Sequence, residues 1–307
     1  LALAEALGGE IVNADALQVY RGFDIGTAKP TLAERTRVPH HLVDILDPAE
    51  RYSAGEFARR ARIALGEIAA RGRPAILVGG SGLYLRALWS GIAPLPPVDA
   101  AVRGCLLERL AGEGLSALYA DLGAVDPATA ARLGAGDTQR ILRALEVALA
   151  TGENLTSWIA RQPFGSEPLA MRKIGLTLPR GLLYDAIAAR VAAMLKEGWL
   201  EEVRALLAAG VERASPAFQA IGYRQWLGYL DGETGFEAAG QQVVTLTKRF
   251  AKRQETWFRR EAGVEWWDAR RSRECLMSLM QMPAVASGEP EKIAGIAEPT
   301  GAPGGGG

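Results

Sequence analysis

Two short apolar runs, each ending abruptly in turn residues, constrain the fold of this 307-residue chain more than any other feature. Ile11-Val12 runs into Asn13-Ala14-Asp15, and the run at 74–78 (Pro-Ala-Ile-Leu-Val) runs into Gly79-Gly80-Ser81-Gly82. Neither alternates apolar with polar residues. Continuous apolar strands of this length belong in a parallel sheet covered on both faces. Between them Phe57, Ala61, Leu65 and Ile68 recur at helical spacing over residues 53–71, so the expected unit is a right-handed strand–helix–strand crossover. Ligands of open α/β sheets bind beyond the carboxyl ends of the strands, which places both turns at one crevice.

Further strands are expected at 173–178 and 263–268. The stretch 98–136 is helical, rich in Ala and Leu, and broken by Gly112, Gly114, Gly123 and Pro127. It reads as a helical insertion between a first core segment, 1–97, and a second, 137–268. Residues 269–307 form a tail, and beyond about Ser287 it is too rich in Gly, Pro and Glu to bury a core and is expected to be disordered. The chain opens at Leu1 inside an uncapped helical stretch, so its true start is expected to lie upstream.

Charge narrows the partners. With 35 basic and 35 acidic residues, any nucleic-acid contact must come from a local patch. Two cysteines far apart, Cys105 and Cys275, suit a reducing compartment better than a disulfide framework. No apolar run approaches the ~18 residues of a membrane span. The cytoplasm is the expected location.

Four places carry chemistry. In the polar loop after the first strand, Asp15 stands just past a strand end, and Gln18, Tyr20 and Lys29 follow; the plain alternative is that Asp15 only stabilises the turn. The glycine-rich turn opening a helix at Ser81 offers free N–H groups and a hydroxyl to an anion, although such turns also arise for packing alone. On the helix after Asp137, Gln139 and Arg143 share a face with Arg140 beside them; the alternative is a solvated face with Arg143 paired to Glu146 or Asp137. Finally, residues 247–260 hold six cations and one acid, interleaved with Phe250, Trp257 and Phe258. Such a stripe suits a phosphate backbone, and the alternative is an ordinary surface helix.

Taken in order, NADALQVYRGFDIGTAKP at 13–30, HHLVDILDP at 40–48, YSAGEF at 52–57, VGGSGLYLRAL at 78–88, DTQRILRALEV at 137–147, AIGYRQ at 220–225 and AKRQETWFR at 251–259 resemble the bacterial tRNA dimethylallyltransferases, also called tRNA isopentenyltransferases. The resemblance covers about residues 1–268. It implies an α/β fold, a P-loop nucleotide-kinase-like parallel sheet flanked by helices, with a helical insertion domain that grips the anticodon stem. It also implies transfer of a dimethylallyl group from dimethylallyl diphosphate to the exocyclic amine of the adenosine 3′ of the anticodon, with Mg²⁺ as cofactor, by a monomer.

Carried over by position, Asp15 corresponds to the general base and Ser81 to a hydroxyl at the reacting centre, where the family usually has Thr. Asp15, Ala16, Leu17 and Gln18 form the loop that receives the adenosine. Arg103, Gln139, Arg140, Ile141, Leu142, Arg143, Arg224, Lys252 and Arg253 match tRNA-contacting positions. Two departures stand out. Ala16 follows Asp15 where the family has Ser, and the glycine-rich loop ending in Gly-Lys-Ser or Gly-Lys-Thr that cradles the diphosphate, and whose hydroxyl helps hold the metal, does not occur in the chain. Without that loop the chain is expected to be catalytically crippled and its full-length parent active. The rival readings are a P-loop nucleotide or nucleoside kinase, a prenyltransferase of free adenine nucleotides, and an RNA-binding protein without catalysis.

Overall fold

The computed structural model describes residues 1–280 apart from Pro94, 162–168 and Ala170. The tail expected to be disordered lies outside these residues. From the start of the chain, helix α1 (Ala2–Leu7) leads to β1 (Glu10–Asn13), α2 (Leu32–Arg37), β2 (His40–His41), α3 (Ala54–Ala70), β3 (Ala75–Val78) and α4 (Gly82–Trp89). Strand β1 pairs in parallel with β2 and with β3, in register Ile11 to His40 and Asn13 to Val78. The strand–helix–strand crossover read from the apolar runs is therefore β1–α3–β3. Ser53 starts α3 where expected, its Oγ accepting the Glu56 N–H at 3.1 Å. Phe57, Ala61 and Ile68 are fully buried against Val12, Leu85 and Leu88.

A second parallel pair, β4 (Lys173–Thr177) and β5 (Val264–Asp268), falls where strands were expected but is hydrogen-bonded separately from the first three. The expectation of strands covered on both faces holds for β1, which is buried throughout, and fails for β3. An edge strand lacks a neighbour on one side, and Val78 is 50% exposed; Leu176 of β4 is 66% exposed.

The inserted helices are α5 (Ala100–Glu113), α6 (Leu115–Val125), α7 (Pro127–Arg132), α8 (Thr138–Thr151) and α9 (Leu155–Arg161). Leu106, Leu118, Leu122, Ile141, Leu142 and Leu145 form one cluster, so α8 packs with α5 and α6 and the helical block continues past residue 136. Asp126, 1% exposed, joins α7 to α9 by accepting the N–H groups of Thr129 and Thr156 at 2.9 Å each. The remaining helices, α10 (Arg180–Lys196), α11 (Trp199–Ala208), α12 (Tyr223–Leu230), α13 (Phe236–Phe258) and α14 (Ser272–Met280), include the aromatic core of the molecule. There Trp199, Tyr223 and Trp226 pack on Val19, Tyr20 and Phe23 of the loop after β1.

The amino end of β1 carries a buried acid. Glu10, 2% exposed, accepts from Arg71 at 2.9 and 2.7 Å and lies 2.6 Å from His41 Nε2. The Arg71 guanidinium, opposed by burial and helped by His41, holds the Glu10 carboxyl at about 2, down from the usual 4.5. A depressed carboxyl contributes stability above its unfolded value and loses it as pH falls toward the folded one. Glu10→Gln is therefore expected to lower the melting temperature at neutral pH, and the gap from the parent should narrow between pH 4.5 and 2. Melting curves across that range check it, and a gap that stays constant would remove Glu10 as the cause.

Candidate active site and nucleic-acid interface

The loop after β1 is fixed at its root by side-chain hydrogen bonds. Asn13 Nδ2 donates to the Leu42 carbonyl at 3.0 Å, and its Oδ1 accepts the Asp15 N–H at 3.1 Å. Asp15 Oδ1 in turn accepts the N–H groups of Leu17 at 2.7 Å and Gln18 at 3.3 Å. The turn-stabilising role of Asp15 is thus real, and it occupies one carboxylate oxygen. Oδ2 has no hydrogen-bond partner among the described residues. Gln18 Nε2 donates to the carbonyls of Thr27 and Ala28, both at 3.1 Å, which commits its donors and leaves Oε1 as the acceptor to be presented. Ala16 and Leu17 are half-buried and pack against the two flanking cores.

Lys29 does not present its charge. Its side chain is 3% exposed, and Nζ contacts Asp24 at 2.5 Å, Asp44 at 2.6 Å and the Tyr20 carbonyl at 2.7 Å. It is a tie within the loop rather than a group aimed at a substrate. Sequence reasoning missed a second tie, Glu202 on α11. It accepts the N–H groups of Asp24 at 2.9 Å and Ile25 at 2.6 Å and the Tyr223 hydroxyl at 2.6 Å. No local pattern announces a partner that lies 177 residues away. A cavity of about 430 Å³ on the far flank of this loop is lined by Lys29, Arg35, Asp44 and Arg190. Lys29 and Arg35 there are already paired to Asp44.

The glycine turn emerges beside Asp15. Ala14 N–H donates to Val78 at 2.7 Å, and a Cβ on Gly79 would lie 2.4 Å from the Ala14 carbonyl carbon. Gly80 accepts from Gln254 Nε2 at 2.9 Å, and Gly82 leaves room for the ring of Trp257. The carboxyl ends of β1 and β3 and the end of α13 therefore meet at one place. Ser81 is the N-cap of α4, and its side chain makes no capping hydrogen bond. One turn further on, the Tyr84 hydroxyl is pushed up by burial first, with the charges of Tyr20, Tyr52 and Asp15 adding to it. Because the obstacle at Gly79 is backbone, Gly79→Ala should cost about 1–3 kcal/mol by forcing the two loops apart. Thermal denaturation checks this, and an unchanged midpoint would show the loops to be slack.

The expected nucleic-acid contacts divide into exposed and occupied groups. On α13, Lys252 and Arg253 are exposed. Arg249, Lys252 and Arg260 have no ion-pair partner among the described residues, whereas Arg259 is held by Glu255 at 2.8 Å. Arg253 lies over Phe250 at 5.6 Å. Arg224 is exposed at the start of α12, and Gln139 is exposed on the first turn of α8. Arg140 is exposed and loosely paired to Asp137 at 3.3 Å. Ile141 and Leu142 require correction. At 0% and 3% exposed they point into the helical core, as their apolar character demands, and their side chains cannot reach RNA. Arg103 and Arg143 both contact Glu146, at 2.6 and 3.1 Å. The ion pair weighed as the alternative for Arg143 does form, but its acid is buried rather than solvated.

Comparison with known proteins gives a consistent set of relatives. A family model described as IPP transferase matches residues 18–261. The chain is 48% identical over 266 residues to a tRNA dimethylallyltransferase of Geobacter metallireducens, covering 87% of this chain and 86% of that protein. It is 49% identical over 266 residues to one of Anaeromyxobacter, covering 87% and 88%. Among solved structures, it resembles the full-length tRNA isopentenylpyrophosphate transferase of Bacillus halodurans at 38% identity and a TM-score of 0.64, covering 91% of this chain and 88% of that one. It also resembles a eukaryotic dimethylallyltransferase captured acting on tRNA, at 26% identity and a TM-score of 0.72, covering 87% and 69%.

Proposed function

The chain belongs to the IPP transferase family, and from that premise we propose that it transfers a dimethylallyl group from dimethylallyl diphosphate to the exocyclic amine of the adenosine 3′ of the anticodon in tRNA. One observation supports this reading above the others. Asp15, with one free carboxylate oxygen, and the Ser81 turn leave adjacent strands at the same end, and the unpaired basic stripe of α13 is anchored to that turn through Gln254 and Trp257.

The chemistry follows from what such groups can do. An adenine amine is a poor nucleophile because its lone pair is delocalised into the ring. Oδ2 of Asp15 takes its proton as the nitrogen attacks the allylic carbon, a general-base contribution worth about 10²–10⁴-fold. As the allylic C–O bond breaks, negative charge gathers on the diphosphate. The free N–H groups at the start of α4 and the Ser81 hydroxyl are suited to receive it. Oε1 of Gln18, aimed by its own two donated bonds, accepts from the adenine edge. Extracting the base costs a few kcal/mol, least in a single-stranded loop such as an anticodon loop.

Among the described residues no group of three or more His, Cys, Asp or Glu is gathered to hold a metal. A Mg²⁺ accompanying the diphosphate would supply charge neutralisation to the leaving group. No helix among the described residues is long and apolar enough to cross a membrane. A substrate such as tRNA makes the cytoplasm the proposed site of action.

The deciding experiment, run on the full-length protein, offers labelled dimethylallyl diphosphate with an anticodon stem-loop, with free AMP, or with neither. Label on the stem-loop alone is the expected result. Label on AMP alone would favour a nucleotide prenyltransferase. Failure to bind the stem-loop, with phosphate transfer from ATP to a nucleoside, would favour a kinase.

A further inference from the structure

We propose that Glu146 is a positioning residue that presets Arg103 and Arg143 as a paired phosphate clamp for RNA; the proposal rests on the tRNA reading above. Glu146 lies on α8 with its side chain 3% exposed. Its Oε1 accepts from Arg103 on α5 at 2.6 Å, and its Oε2 from Arg143 at 3.1 Å. Arg143 also donates to the Pro96 carbonyl at 3.1 Å. Pro96 belongs to the segment joining α4 to α5, so this cluster ties the helical block to the core as well. The two arginine side chains remain 39% and 33% exposed.

Stability alone is a weak reason for such an acid. Taking a carboxylate and its guanidinium partners out of water is costly, and replacing a whole buried ion cluster by well-packed apolar residues often serves the fold equally or better. What an apolar residue cannot do is hold two like charges from different helices side by side. A guanidinium has five N–H donors in a rigid fork. Each arginine here spends one or two of them inward, and the rest face solvent on the side of α8 that carries Gln139, four residues before Arg143. Forks fixed before binding lose less side-chain freedom when a phosphate arrives. Glu146 supplies that fixation.

The sign of one substitution separates positioning from simple charge. Glu146→Gln removes a negative charge beside a surface that binds a polyanion, so a purely electrostatic role predicts tighter binding. Positioning predicts the reverse: affinity for an anticodon stem-loop weaker by about five- to tenfold, a shallower salt dependence, and a raised KM for the RNA with kcat unchanged at saturation. Glu146→Leu strands two like charges without their acid, so it is expected to lower the melting temperature as well as lose the same affinity, and its binding is compared only at temperatures where it is folded. Arg143→Lys keeps Glu146 and the net charge but removes the fork, and should show the same loss. Stem-loop affinity equal to or above the parent's in any of these folded variants overturns the proposal. A parent protein indifferent to the stem-loop would remove the tRNA reading itself, and this proposal with it.

Discussion

In the full-length protein, Asp15→Asn is expected to lower turnover on tRNA by about 10²–10⁴-fold while leaving stem-loop affinity within about twofold, a change below 0.5 kcal/mol. The asymmetry follows from how the carboxylate is used. Oδ1 holds the turn by accepting from Leu17 and Gln18, and an asparagine oxygen at that place still accepts both bonds. Oδ2 accepts no hydrogen bond among the described residues. Its replacement by NH₂ turns a proton acceptor into a donor facing another donor, the adenine amine. The loop keeps its shape through Asn13, Glu202 and the Lys29 ties, none of which passes through Oδ2. Single-turnover rates at saturating stem-loop, beside filter-binding affinities, separate the two roles. A variant with parental turnover would leave Asp15 as a turn residue and nothing more.

How far the sequence could carry this argument depended on whether the relevant physics was local. The strands at Ile11-Val12 and Ala75–Val78 and the helix between them were legible because apolar spacing along the chain reports burial directly, and they lie where that spacing placed them. Asp137 likewise opens α8 as its N-cap, where the sequence placed the start of a helix. Pairings between distant side chains were not legible. Lys29 stands in a loop full of site-like residues, yet Asp44 draws it inward. Glu146 sits among arginines like any solvated acid, and only the packing of α5 against α8 buries it. Ile141 and Leu142 adjoin exposed contact residues in sequence, but a helix turns consecutive positions to different faces, and theirs is the inner one. The separation into two parallel sheets was equally hidden, since strand order is not written in any single strand.

Replacing Lys252 and Arg253 together by Ala is expected to weaken stem-loop binding by about 30-fold at 0.1 M salt and to flatten its salt dependence. The magnitude comes from counterion release. Each neutralised phosphate contributes a slope of about 0.7–0.9 in log affinity against log salt, which is about sixfold per contact at 0.1 M. Both side chains are exposed, and Lys252 has no ion-pair partner among the described residues, so neither loss is softened by an acid left bare. Arg259, nearly two turns on, is already neutralised by Glu255, and its replacement should change the slope by less. Gln254 and Trp257 tie α13 to the glycine turn by their own side chains, and neither contact passes through Lys252 or Arg253. Their contacts survive the double substitution, so turnover at saturating RNA should stay near the parental value while KM rises. Titrations at several salt concentrations measure the slope directly. A double variant with the parental slope would mean that RNA never touches this face of α13, and the stripe would then be an ordinary solvated helix surface.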